Sequence, residues 1–293
     1  MTPFADRLIE AVRAKGTPLC VGLDPLPERI PAFFGDGVTA LRAFGEAIID
    51  IAAAHASTLK PQLGFFEPFG VEGYAAAIDL CAYAQSKGMA VILDAKRGDI
   101  GTTAEGYAKA CLGGAPAFDA DAVTVNAYLG KDSLEPFLKL AAERAKGVIV
   151  LVRTSNPGAR DLQDLDAAGA PLWHNVAKLI APEAKRLEGQ SGWSGLMAVV
   201  GATWPDEARA ARTLLPSSLF LVPGYGAQGA SAKDAVAGFK QTPKGREGGV
   251  VSSSRAVLYP AAAQSAGNLS AWRAAIADAM AAAATELRAA CQD

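Results

Sequence analysis

The chain has 293 residues, 51% hydrophobic and 20% charged, and its 28 Lys and Arg nearly balance 30 Asp and Glu for a formal net charge of −2. No apolar run approaches the roughly 20 residues of a membrane span; Asp6, Arg7, Glu10 and Arg13 interrupt any secretory leader; and the charge balance lacks the basic excess of a nucleic-acid binder. Cys20, Cys81, Cys111 and Cys291 lie too far apart for a disulfide framework or a C-x-x-C site, and read as small buried hydrophobes in a reducing, cytoplasmic setting.

In chain order, a helix is expected ahead of a first apolar, β-rich run at 19–24. A helical face follows at 41–54, with Leu41, Phe44, Ile48 and Ile51 on one side. Further strands are predicted at 58–62, 90–94, 122–126, 148–153, 197–202, 219–223 and 250–254. Helices are predicted at 74–86, from Thr102 (capping-box spacing with Glu105), at 133–145, 173–187 and 206–214, and over an Ala-rich 270–290. Segments 156–170 and 190–195 read as loop insertions. Continuous runs such as VIVLV at 148–152 suit parallel strands covered on both faces. Strand–helix alternation repeated eight times, without a linker, predicts an α/β chain folded as one (β/α)8 TIM barrel domain over 1–293. An open doubly wound sheet is the alternative, since alternation does not itself show closure.

Active sites of such barrels lie at the carboxyl ends of the strands. The polar residues ending the apolar runs are Asp24, Lys60, Asp94 with Lys96, Asn126, Arg153 to Ser155, Gln228 and Arg255. The densest cluster is LDAKRGDIGTT at 93–103. Strand alternation aims Asp94 and Lys96 to the same side, and Asp99 follows in the loop. A lysine between carboxylates stays protonated and serves as a proton donor or electrostatic clamp rather than a Schiff-base nucleophile. VPGYGAQG at 222–229 holds a G-x-G-x-x-G, but after the seventh strand rather than in a first βα unit, which argues against dinucleotide binding. Followed by Ser254-Arg255 after the eighth strand, it fits a barrel phosphate site instead. His55 and His174 lack partners at ligand spacing, and Ser252 to Ser254 form no nucleophile elbow. The expectation is an enzyme with no metal and no cofactor, acting on a phosphorylated small molecule.

DAKRGDIGTT resembles the D-x-K-x-x-D-I signature of the orotidine 5′-phosphate decarboxylase family. VGLDP at 21–25, KPQLGFFEPFG at 60–70, VNAYLGKDSLEPF at 125–137, VRTSNPGARDLQ at 152–163, VPGYGAQG and SSSRAVLYP at 252–260 resemble its longer bacterial (type 2) branch. The resemblance implies metal-free decarboxylation of orotidine 5′-phosphate to uridine 5′-phosphate, the last step of de novo pyrimidine synthesis, by a homodimeric barrel. It implies that Asp94 lies near the substrate carboxylate, that Lys96 protonates C6, that Lys60 lies on the ribose side, and that Asp24 bonds a ribose hydroxyl. Asp99, Ile100 and Thr103 would reach into the neighbouring subunit's site, Ser155 would contact the pyrimidine, and Gln228 and Arg255 would grip the phosphate. Asn126 joins the substrate-binding set as the polar end of the fourth strand. Ser254 departs from the Gly of shorter family members, the loop after the fifth strand is long, and Glu67 has no assigned role. The rivals are a magnesium-dependent sugar-phosphate decarboxylase or synthase, which Ile100 after Asp99 disfavours, and a non-catalytic phosphate-ligand module, which has no need of both acids.

Overall fold

The apolar runs become parallel strands, and the sheet they form closes. The computed structural model describes residues 1–292. Its strands are β1 (Leu19–Leu23), β2 (Thr58–Pro61), β3 (Ala90–Arg97), β4 (Ala122–Val125), β5 (Gly147–Arg153), β6 (Ser194–Val200), β7 (Ser218–Val222), β8 (Lys240–Thr242), β9 (Gly245–Glu247) and β10 (Gly249–Ser253). The barrel order is β1-β10-β7-β6-β5-β4-β3-β2, with every neighbouring pair parallel. Strands such as β1, β6 and β7 are buried along their whole length, which is why their sequences run apolar instead of alternating. Among the described residues, no helix is long and apolar enough to cross a membrane.

Each strand sends one set of side chains into the barrel and the other outward against the helices. The inward set at the amino-terminal end, including Cys20, Ile92, Ile149, Met197, Leu219 and Val250, packs with Phe4, Leu8 and Ile9 of the helix Phe4–Lys15. That helix therefore plugs the end of the barrel opposite the strand carboxyl ends. Asp6 pins it there by accepting the Gln190 and Ser191 backbone N–H groups, each at 2.9 Å. Burial would raise the Asp6 carboxyl, but these hydrogen bonds outweigh it and hold the group below its usual range.

Several boundaries differ from expectation for identifiable reasons. The helix expected over 173–187 is α-helical only through Ile180 and continues as a 3-10 helix, Ala181–Leu187, because Pro182 has no N–H to continue the α ladder. The helix after β3 begins at Gly101 and has no capping box; Thr102 is already inside its first turn, where its hydroxyl cannot cap. Strand β6 begins at Ser194, so the expected 190–195 insertion is shorter than its sequence implied. The antiparallel hairpin β8–β9 was not anticipated, being short and polar.

Leu8 is fully buried within the plug. Leu8→Ala is expected to cost about 2–5 kcal/mol, the range for truncating a core leucine, measured by urea denaturation. The rim at the opposite end should keep its geometry, seen as unchanged ligand affinity of the folded variant.

Candidate active site

The decisive local feature is where β3 leaves the regular sheet. Its pairing with β4 shifts between Leu93 and Arg97, and within that bulge Lys96 adopts φ +47°, a left-handed conformation uncommon for a side-chain-bearing residue. Such a residue costs of order 1–3 kcal/mol unless its surroundings hold it. Thr124 of β4 does so: its Oγ1 accepts the Lys96 backbone N–H at 2.9 Å and donates to Asp94 Oδ1 at 2.9 Å. Lys96 Nζ then folds back to donate to the same Oδ1 at 2.6 Å. The two side chains meet as alternation anticipated, but through a bulge.

Asp94 Oδ2 accepts Lys60 Nζ at 2.9 Å, and Lys60 Nζ lies 4.0 Å from Asp24 Oδ1. Asp24, Lys60, Asp94 and Lys96 thus form a contiguous array of alternating charge across β1, β2 and β3. The Lys60 side chain is only 8% exposed, whereas that of Lys96 is 46% exposed, so of the two ammonium groups lining the cavity the second is the more open. Asp24 Oδ1 is buried with no hydrogen-bond partner, and its backbone is fixed by Tyr259, whose hydroxyl donates to Asp24 O at 3.0 Å.

These groups line one wall of a cavity of about 540 Å³ at the carboxyl ends of the strands; Ser155 and Gln228, in the loops after β5 and β7, stand across from it, and Arg255 follows β10, next to β1. Close approach of three loops forms that side. A Cβ on Gly201 would come within 2.8 Å of Ser155 Cα, and one on Gly224, at φ +102°, within 3.2 Å of Ser155 Cβ. Tyr225 in the same glycine-rich loop donates to Glu286 Oε2 at 2.6 Å, tying the loop to the helix Leu269–Gln292. Arg255 is exposed and has no ion-pair partner among the described residues.

Four expected residues are not on the cavity wall of the single chain. Asp99 accepts the neighbouring Ile100 N–H at 2.8 Å, Ile100 is 54% exposed, and Thr103 is exposed on the first turn of its helix. Asn126 lies beyond the end of β4 and accepts Tyr128 N–H at 3.0 Å in the rim turn. The residue that β4 brings to the site is Thr124, overlooked because AVTV reads as an unbroken apolar strand; the β3–β4 register was the missing information. Ser254, which precedes Arg255, also lines the cavity, as does Gln163, which no motif marks. Glu67 pairs with Arg97 at 2.8 Å, outside the cavity wall. Among the described residues no cluster of three or more His, Cys, Asp or Glu is placed to hold a metal ion.

Residues 17–268 match the family model described as orotidine 5′-phosphate decarboxylase / HUMPS family. The chain belongs to this family. It is 40% identical to an orotidine 5′-phosphate decarboxylase of Rhodopirellula baltica, covering 88% of this chain and 89% of the relative. It is 42% identical to that of Deinococcus radiodurans, covering 88% and 90%. In structure it is similar to an orotidine-monophosphate-decarboxylase of Toxoplasma gondii, with TM-score 0.83 and 33% identity over 100% of this chain and 99% of the other.

The electrostatics of this family member follow from the array. Burial alone would lower the Lys60 ammonium, but Asp94 and then Asp24 outweigh it and hold it above the ordinary lysine range. Burial alone would raise Asp94, yet Lys60 and Lys96 hold it below the carboxylate range. At neutral pH Lys60 is therefore an ammonium and Asp94 a carboxylate. Beneath them, burial pushes the Cys20 thiol up to about 12, leaving it protonated and unreactive.

Asp94→Asn leaves Lys60 buried beside a neutral amide, so a loss of about 3–5 kcal/mol is expected near neutrality. Because folding lowers this carboxyl's pKa, its stabilisation is complete above the unfolded value of about 3.9 and is lost as pH falls further. Urea denaturation of both chains across pH 2–8 should show a gap that is constant above about pH 5 and closes on acidification.

Proposed function

We propose that this chain decarboxylates orotidine 5′-phosphate to uridine 5′-phosphate and CO2 in de novo pyrimidine synthesis, with no metal or organic cofactor. We further assign it to the longer bacterial branch of the family, on the enlarged segments at 60–70 and 152–163. The observation that carries the reading is the Lys60–Asp94–Lys96 array, with the partly exposed Lys96 ammonium facing the cavity.

When the C6–carboxylate bond breaks, CO2 departs and its bonding pair remains on C6 in the plane of the pyrimidine, outside the π system. A cation beside that carbon stabilises the transition state more than the ground state, the condition for acceleration. At ~4 Å and an effective dielectric near 20, one charge pair is worth about 4 kcal/mol, roughly three powers of ten in rate. Lys96 then transfers a proton to C6, and the resulting amine recovers one from water. Asp94 has three donors on its two oxygens and a lowered pKa, so protonation does not relieve its repulsion of the substrate carboxylate. That repulsion falls as CO2 leaves. Asp24, with its orphan Oδ1, accepts a ribose hydroxyl; Ser155 contacts the pyrimidine; Gln228 and Arg255 hold the phosphate.

Asp99, Ile100 and Thr103, exposed on the rim of one chain, act across the interface of a homodimer, in the site of the neighbouring copy. The substrate is a free nucleotide, and the reading includes no nucleic-acid or membrane partner. The whole reaction is assigned to the cytoplasm.

Absorbance of orotidine 5′-phosphate should fall with the purified chain at the same rate with and without a chelator. Lys96→Ala should lower kcat by at least about 10³, the order of one lost transition-state charge, while circular dichroism shows an intact barrel. Near-wild-type turnover in that variant removes Lys96 as the acid.

A mixture of inactive Asp99→Ala and Lys96→Ala chains, refolded together, should regain activity, since a mixed dimer contains a site with both residues. Confirmed mixed dimers that stay inactive would rule out the shared site.

A further inference from the structure

The segment between β5 and the helix Leu172–Ile180 is long for a βα connection, which usually takes about 2–6 residues, yet it is fastened at its start. Two consecutive side chains after β6 hold two consecutive carbonyls after β5: Trp204 Nε1–H donates to Thr154 O at 3.0 Å, and Thr203 Oγ1 donates to Ser155 O at 3.2 Å. The Trp204 ring also contacts two guanidiniums, with Arg153 Cζ 4.6 Å and Arg160 Cζ 4.5 Å from its centroid. Arg153 ends β5 and its side chain is 1% exposed, whereas Arg160 opens the short helix Arg160–Gln163 in the loop itself. One indole thus joins the rigid strand to the loop by two cation–π contacts and a hydrogen bond.

The loop closes back on the same point. Asp164 Oδ1 lies 2.7 Å from Arg153 Nη1, Thr154 N–H donates to Gln163 Oε1 at 3.0 Å, and Gln163 Nε2 donates to Thr154 Oγ1 at 2.8 Å. All these contacts converge on residues 153 and 154, next to Ser155 on the cavity wall. We propose that Trp204 is a positioning residue for the decarboxylation: it touches no substrate, but fixes the 153–155 backbone so that Ser155 meets the pyrimidine. The proposal rests on the functional reading above, in which Ser155 is the base contact.

The test is a kinetic double-mutant cycle on orotidine 5′-phosphate turnover, combining Trp204→Leu or Trp204→Phe with Ser155→Ala. Trp204→Leu should lower kcat/KM about tenfold, the order expected when a positioning hydrogen bond is lost. Trp204→Phe keeps a ring for the guanidiniums and should lose less. In the Ser155→Ala background both substitutions should have little further effect, because residues acting as one unit are not additive. Equal losses in both backgrounds, or none with Ser155 intact, overturn the proposal. If Trp204→Leu does not fold, the Trp204→Phe arm decides by the same criterion. An inactive wild-type chain would instead overturn the functional reading, whereas additive losses in an active one overturn only the role of Trp204.

Discussion

The structure depends on one shared carboxylate. Asp94 takes two ammonium groups and a hydroxyl on its two oxygens, and each donor comes from a different segment of the sheet. Without it, Lys60 would be a buried cation with only Asp24, 4.0 Å away, to offset a desolvation cost of several kcal/mol. With it, the same low dielectric that penalises the charges also binds them together. The donors arrive from β2, β3 and β4, and β1 adds Asp24 on the far side of Lys60. Neighbouring strands in the barrel are therefore neighbours in the charge array, and the parallel register sets the spacing.

The other half of the barrel is built differently. Strands β5, β6 and β7 line the cavity with Leu151, Val199 and Leu221, so the polar groups on that side come from loops: Ser155 after β5 and Gln228 after β7. The cavity has a charged wall and an apolar wall crowned by hydrogen-bonding groups. Burial of Lys60 and Asp94 shields their pair from water, which preserves the charge–charge interaction that the proposed chemistry uses.

Much of this was legible in the residues because parallel strands buried on both faces have to be apolar without interruption, and eight such runs left few topologies. Closure was less visible, since it is a relation between the first and last strands. At the site, Lys60, Asp94 and Lys96 stood out as charges ending apolar runs. Thr124 did not, because threonine favours strands and only the β3–β4 bulge gives its hydroxyl two partners. Asn126 looked the better candidate and lies in a rim turn, two residues past the strand's inward-facing position. Trp204 was invisible for a further reason: its hydrogen bond reaches a segment 50 residues away, whereas Gln163 bonds Thr154 within its own loop and no local pattern marks it.

The array is satisfied before any ligand arrives. Asp94 has its full set of donors, and Thr124 holds the strained Lys96 backbone in place. Two groups in the cavity are not satisfied: Asp24 Oδ1, buried without a donor, and Arg255, a cation without an ion-pair partner among the described residues. In the proposed reading, the sugar hydroxyl and the phosphate of the substrate satisfy both, at positions away from the carbon that reacts. Binding free energy is then gained at the ribose and phosphate, where it does not change during the reaction. In the same reading, the Lys–Asp–Lys array contributes most when charge develops at C6. That division allows tight substrate capture without deepening the well from which the substrate must climb.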